Sequence, residues 1–223
     1  MMDSPNTGRL IGQHINLVPL DPGRHAKQLY IALHGTQKGE LWRYLRDGPF
    51  ADADAHRVHL ERLCASGQFI GFIIVDQLSE TLLGQLALMK YSTEHRSVEI
   101  GYVLFLPALQ RTRGGTEALY LLVRHCFEAL GLRRLEWRCD SANDKSERAA
   151  LRLGFQREGL LLQHMLVKGR SRDTMIFSLL DWEWPNCKAA LLTWLDDSNF
   201  DSQGIARSSL ENIMLSRRSR RLR

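Results

Sequence analysis

Residues 109–118 read Leu-Gln-Arg-Thr-Arg-Gly-Gly-Thr-Glu-Ala, and this stretch constrains the fold more than any other part of the chain. The apolar run over residues 99–106 before it predicts a buried strand. After it, Leu119, Leu122, Val123, Cys126, Phe127 and Leu130 recur at helical spacing, with Gly131 placed to end the helix. A glycine-bearing turn between a strand and a helix leaves backbone N–H groups unpaired at the positive end of the helix dipole. With no side chain on Gly114 or Gly115 to block approach, the turn predicts a site for a phosphate or pyrophosphate.

Two common phosphate loops are excluded. A Walker A loop needs Lys after its last glycine, and none follows here. A dinucleotide fingerprint needs G-x-G-x-x-G, which the glycines do not match. The pyrophosphate arm of coenzyme A remains. The loop resembles that of the GNAT superfamily of acyl-CoA-dependent N-acyltransferases, Q/R-x-x-G-x-G/A, in two registers. One takes Gln110, Arg113 and Gly115; the other takes Arg111, Gly114 and Thr116. Thr116-Glu117-Ala118 is similar to the helix start of the subgroup that acetylates the alanine or serine N-termini of ribosomal proteins, and it favours the first register. A second block resembles the same subgroup: Asn143 and Ser146, then Ala149, then Leu153-Gly154-Phe155, following a predicted strand over residues 134–139.

The resemblance spans residues 9–185 and implies a single α/β domain with a mixed, twisted central sheet and flanking helices. It also implies acetyl-CoA as cofactor and an amine acceptor, either a ribosomal protein or a small molecule, and is compatible with a homodimer. Within that frame, residues 15–20 predict a first strand, and Asp21 and Pro22 open a helix reaching His34. Residues 42–50 form a loop rich in aromatics and turn formers. Residues 52–65 predict a helix with Ala55, Val58, His59 and Arg62 along one side. Residues 70–75 and 82–90 pair as a hairpin around 77–80, and a second hairpin turns at residues 168–170 before a strand over 174–179. Residues 186–206 read as an appended helix, and residues 207–223 as a basic, disordered tail.

Charge divides sharply along the chain. The net charge is +5, and the six arginines and single acid from Arg207 onward account for all of it, leaving the preceding residues neutral in sum. Nucleic acid is therefore an expected partner only through that basic end. Residues 1–6 hold no apolar leader core and no apolar run approaches ~18 residues. Neither export nor a membrane span is expected, and a cytoplasmic location is. Cys64, Cys126, Cys139 and Cys187 are scattered, with no C-x-x-C pair to suggest zinc or a disulfide framework.

Acyl transfer to an amine requires that the thioester carrier be held, its carbonyl polarised, the ammonium deprotonated and the leaving thiolate protonated. The resemblance implies that the strand before the loop parts from its neighbour, offering backbone groups of Tyr102, Val103 and Leu104 to the pantetheine arm. The loop residues Gln110, Arg111, Thr112, Arg113, Gly114, Gly115 and Thr116 would hold the diphosphate, with Asn143 and Ser146 beside it. Glu99, between Val98 and Ile100, is the candidate base, as burial there makes a carboxylate a better proton acceptor; a solvent-facing Glu99 is the alternative. Ser146 is the candidate acid for the thiolate, or a simple helix cap alongside Asn143. The resemblance places Trp42, Tyr44 and Phe50 in the acceptor loop, with core packing accounting for at least one of the three, and His164 and Asp173 flank the last hairpin as further acceptor contacts. No metal site and no nucleophile elbow is present in the sequence. A non-catalytic acyl-CoA-binding module and a ribosome- or RNA-associated adaptor remain as alternative readings.

Overall fold

Local capping chemistry sets where the helices begin. The computed structural model describes residues 8–35 and 39–221; the expectations for residues 1–6 and for Leu222 and Arg223 lie outside them. Strands β1 (Leu10–Ile11) and β2 (Ile15–Pro19) lead into α1 (Pro22–Leu33), capped by Asp21, whose carboxylate accepts from the Arg24 amide. After a short 3-10 turn, Asp52 caps α2 (Ala53–Ala65) in the same way. Next come β3 (Phe69–Asp76), β4 (Leu82–Ser92), β5 (Ser97–Phe105), α3 (Arg113–Arg124) and β6 (Arg134–Asp140). The chain ends with α4 (Asp144–Arg152), β7 (Gln156–Val167), β8 (Arg170–Leu180), α5 (Trp184–Leu195) and α6 (Leu210–Arg221).

The eight strands form one sheet in the order β1-β2-β3-β4-β5-β6-β8-β7. Only β5 and β6 pair in parallel. A parallel pair needs a crossover, and α3 supplies it. Each face of the sheet carries its own apolar layer. On one, Val98, Ile100, Leu135, Trp137 and Phe177 pack with Leu119, Leu122, Val123 and Cys126 of α3. On the other, Ile73, Val75 and Leu104 pack with Ala26, Leu29 and Leu33 of α1 and Leu60 of α2. Glu117, buried in the second turn of α3, accepts hydrogen bonds from the amides of Gln13 (2.6 Å), His14 (2.9 Å) and Ile15 (3.2 Å). No helix among the described residues is long and apolar enough to cross a membrane.

Two expectations need correction. In α2 the buried side chains are His56, His59 and Leu60, while Val58 is 56% exposed. The helix is turned so that its histidines enter an aromatic cluster: His56 stacks on Phe50 at 4.8 Å and lies edge-on to Trp42 at 5.8 Å. The C-terminal segment is also not a solvated tail. Residues 210–221 form α6, and Leu210 and Met214, one turn apart, are buried with Leu191, Trp194 and Leu195 in the layer under α3. The turn after α4 is pressed by the same elements: a Cβ on Gly154 would lie 2.6 Å from the Cys187 sulfur and 3.6 Å from the Met214 methyl.

Deleting residues 208–223 is therefore expected to remove two core side chains and lower stability by at least about 3 kcal/mol. Urea unfolding checks this, and an unchanged midpoint would make the segment an accessory. A second expectation concerns acid. Burial, reinforced by neighbouring His34 and His59, holds the pKa of His56 down to about 4 against 6.5 unfolded. A depressed histidine contributes stability that is complete above pH 6.5 and lost as pH falls toward 4, by up to about 3 kcal/mol. His56→Leu should flatten the pH dependence of the urea midpoint across that window.

Candidate active site

The turn before α3 uses much of its own hydrogen-bonding capacity. The Gln110 amide donates to Leu106 and Pro107 carbonyls, and the Thr112 amide to Leu109. Thr112 caps α3, its hydroxyl accepting from the Gly115 amide at 3.1 Å, and the Thr116 amide bonds back to the Thr112 carbonyl. Gln110 folds its side-chain amide onto the Phe105 carbonyl at 2.8 Å. Arg111 adopts the left-handed conformation, φ 60°. Among the described residues, the amides of Arg111, Arg113 and Gly114 find no partner. The open edge at the helix start is thus narrower than the whole of residues 110–116.

Several loop side chains point elsewhere than expected. Gly114 and Gly115 are buried, and a Cβ on Gly115 would meet the Leu109 carbonyl at 2.7 Å. Helix-to-turn packing, not ligand approach, demands glycine there. Thr116 is buried too, with its hydroxyl accepting from Arg152 at 3.0 Å. The Arg113 guanidinium turns away to Asp197 (2.7 Å) and the Leu195 carbonyl and lies over the Phe200 ring. Only its backbone N–H remains at the helix start. The exposed rim consists of Gln110, Arg111 and Thr112.

Beside this rim the sheet opens. Parallel pairing between β5 and β6 ends at Ile100 opposite Trp137, although β5 continues to Phe105. On its other edge β5 bulges, since Gly101 faces Ala87 but Leu104 faces Gln85. Tyr102 sits in that bulge at φ 50°, a left-handed conformation costing a non-glycine residue about 1–2 kcal/mol. Its hydroxyl donates to Asp47 at 2.5 Å, and burial first, Asp47 second, pushes the phenol pKa up, so it stays a donor. Leu104 buries its side chain and offers only backbone.

Glu99 is buried, as expected of a strand residue between apolar neighbours, and its carboxylate is paired. Lys90 approaches at 2.7 Å and Arg138 at 3.5 Å. Across the opening, Asn143 caps α4 by accepting from the Ser146 amide at 3.2 Å. Ser146 is therefore not the cap. Its hydroxyl accepts the Trp137 indole N–H at 2.9 Å.

The acceptor wall is built differently from the sequence expectation. Trp42 is fully buried, with its indole bonded to the Leu33 carbonyl, because the loop folds over Gly48, which is left-handed and pressed against the Trp42 ring. Phe50 is half-buried among His34, His56 and His59. Tyr44 bonds the Ala142 carbonyl at 2.9 Å, and Lys168 at the hairpin tip bonds the Trp42 carbonyl at 2.6 Å. Exposed His164 meets Thr174 at 3.0 Å. Asp173 accepts from the Gln163 amide and lines a surface pocket with Asp140 and Leu162. Asp47, His59 and Lys168 carry no short-range motif, and sequence reading missed them. No group of potential metal ligands occurs among the described residues.

A family profile described as an acetyltransferase (GNAT) domain matches residues 14–156. A GCN5-related N-acetyltransferase from Brucella melitensis superposes with TM-score 0.90 at 35% identity, covering 95% of this chain and 96% of that one. The uncharacterized N-acetyltransferase YoaA of Bacillus subtilis is 33% identical over 102 residues, 46% of this chain and 57% of YoaA. YdaF of the same organism, provisionally named a ribosomal N-acetyltransferase, is 25% identical over 182 residues, 78% of this chain and 95% of YdaF. A capped helix start beside parted parallel strands, on a sheet that superposes this closely, places the chain in the GNAT acetyltransferase family.

Proposed function

We propose that this chain transfers an acetyl group from acetyl-CoA directly to a primary amine, in a complex that holds both substrates at once. The observation that carries this reading is the parted edge of β5 beyond Ile100, flanked by the three unpartnered amides at the start of α3. Donors of those two kinds suit a chain that is amide-rich along its length and doubly phosphorylated at one end. Acetyl-CoA supplies the acyl group as a thioester. The amides of Tyr102 and Val103 would polarise its carbonyl, a contribution of about 3 kcal/mol for one preorganised donor. Glu99 takes the proton released as the amine nitrogen bonds the acyl carbon. Ser146, whose hydroxyl already accepts the Trp137 N–H, is left free to donate to the sulfur as the C–S bond breaks.

The pairing of Glu99 favours one acceptor class. A carboxylate sharing its oxygens with Lys90 and Arg138 suits an amine that needs little help. An α-amino group, with pKa about 8, needs far less than a lysine side chain at about 10.4. A protein N-terminus is therefore the preferred acceptor, in keeping with the provisional name of YdaF.

Thiol release from acetyl-CoA should occur with peptides beginning in alanine or serine, and acetylated lysine side chains should be absent from the products. Stabilisation by CoA without turnover of any amine would instead mark a binding module. Glu99→Gln and Ser146→Ala should each lower kcat by about 10²-fold or more, the lower end of the ~10²–10⁴ range of general acid–base contributions, with CoA affinity within about threefold of the parent. Unchanged turnover in either variant would remove that residue from the mechanism.

A further inference from the structure

The loop between α1 and α2 touches three elements around the opening. Tyr44 reaches the Ala142 carbonyl beside the α4 cap, and the Trp42 carbonyl receives Lys168 from the β7–β8 hairpin. Asp47, side chain 33% exposed, receives the Tyr102 hydroxyl on Oδ2 at 2.5 Å, with the His59 Nε2 atom 3.7 Å from the same oxygen. Of these tethers only the last ends on the bulge itself. Tyr102 is an unusual residue for φ 50°, where glycine or asparagine would be favoured, and the backbone there has no side-chain bond of its own to hold it. What holds the conformation is the far end of the side chain, clasped by a residue 55 positions earlier in the chain. The Tyr102 ring also packs edge-on against Phe69 at 5.3 Å, so loss of the hydroxyl alone would leave the ring in place.

We propose that Asp47 and Tyr102 form a positioning pair that holds the bulged edge of β5 in the shape that receives the thioester carbonyl, so that acceptor loop and acyl site are built as one unit. This rests on reading that edge as the acyl site. Asp47 and Tyr102 act here through the backbone amides rather than through contact of their side chains with the reacting atoms. The pair also explains why the acceptor loop carries a carboxylate that no lysine or arginine pairs within 4 Å among the described residues: its partner is the phenol.

The test uses the full chain, CoA, and acetyl-CoA labelled with ¹³C at the carbonyl. Titration calorimetry with CoA measures cofactor affinity, and the ¹³C shift of bound acetyl-CoA reports how strongly the carbonyl is polarised. Tyr102→Phe and Asp47→Asn should bind CoA within threefold of the parent and keep its melting temperature within a few degrees. Each should lose at least half of the bound-state ¹³C shift, and kcat with an alanine-initial peptide should drop about tenfold. A full ¹³C shift in both variants overturns the pairing role. So does a tenfold loss of CoA affinity with an intact melt, which would make the pair a binding contact, or loss of fold in both variants, which would make it a stability element. If the parent chain gives no heat with CoA, the acyl-CoA reading itself fails, a result distinct from any that the variants give.

Discussion

The carboxylate of Glu117, buried in the second turn of α3, accepts three consecutive backbone N–H groups from the turn between β1 and β2 and the first residue of β2. Those amides would otherwise face the interior unpaired, and each buried unpaired amide costs about 1–3 kcal/mol. One side chain thus fixes the register of the helix start against the sheet. The rest of the site is measured from that point: the Thr112 cap, the unpartnered amides of Arg111, Arg113 and Gly114, and the gap where β5 leaves β6. Gly12 completes the joint, because a Cβ there would sit 2.7 Å from a Glu117 oxygen.

Charge around the same helix start is disposed with care. Two guanidiniums, those of Arg113 and Arg152, lie against its first turn, and a cation is unfavourable at that end of a dipole. Both are drawn off by the C-terminal segment. Arg113 is neutralised by Asp197 and covered by Phe200, while Arg152 lies over the Trp194 ring at 4.7 Å and bonds Thr116. The extension beyond β8 is therefore part of the support for the start of α3. This accounts for α6 inserting Leu210 and Met214 into the core instead of trailing in solvent.

Much of the scaffold was legible from sequence. Asn143 as the cap of α4, the strand ending near Leu106, the hairpin turn at residues 168–170 and the turn at Gly131 all follow from interactions spanning a few residues, where local chemistry decides. The same is true of the family, since its motifs are runs of neighbours. Legibility failed where a side chain had a choice of distant partners. Trp42 has the composition of an acceptor contact yet fills the core, and Arg113 has the composition of a phosphate ligand yet pairs with Asp197, 84 residues away.

By itself the sequence determined the order of most strands and helices, the strand–turn–helix with its glycine-bearing turn and the paired motifs of a GNAT domain, because periodicity and capping act over one or two turns of chain. Tertiary structure alone decided which amides stay free, that Glu99 is clasped by Lys90 and Arg138, that Tyr102 is held by Asp47, and that the basic end is anchored through Leu210 and Met214. Each of these depends on groups far apart in the chain competing for the same hydrogen bonds and the same buried volume, and that competition is resolved only when the sheet has closed.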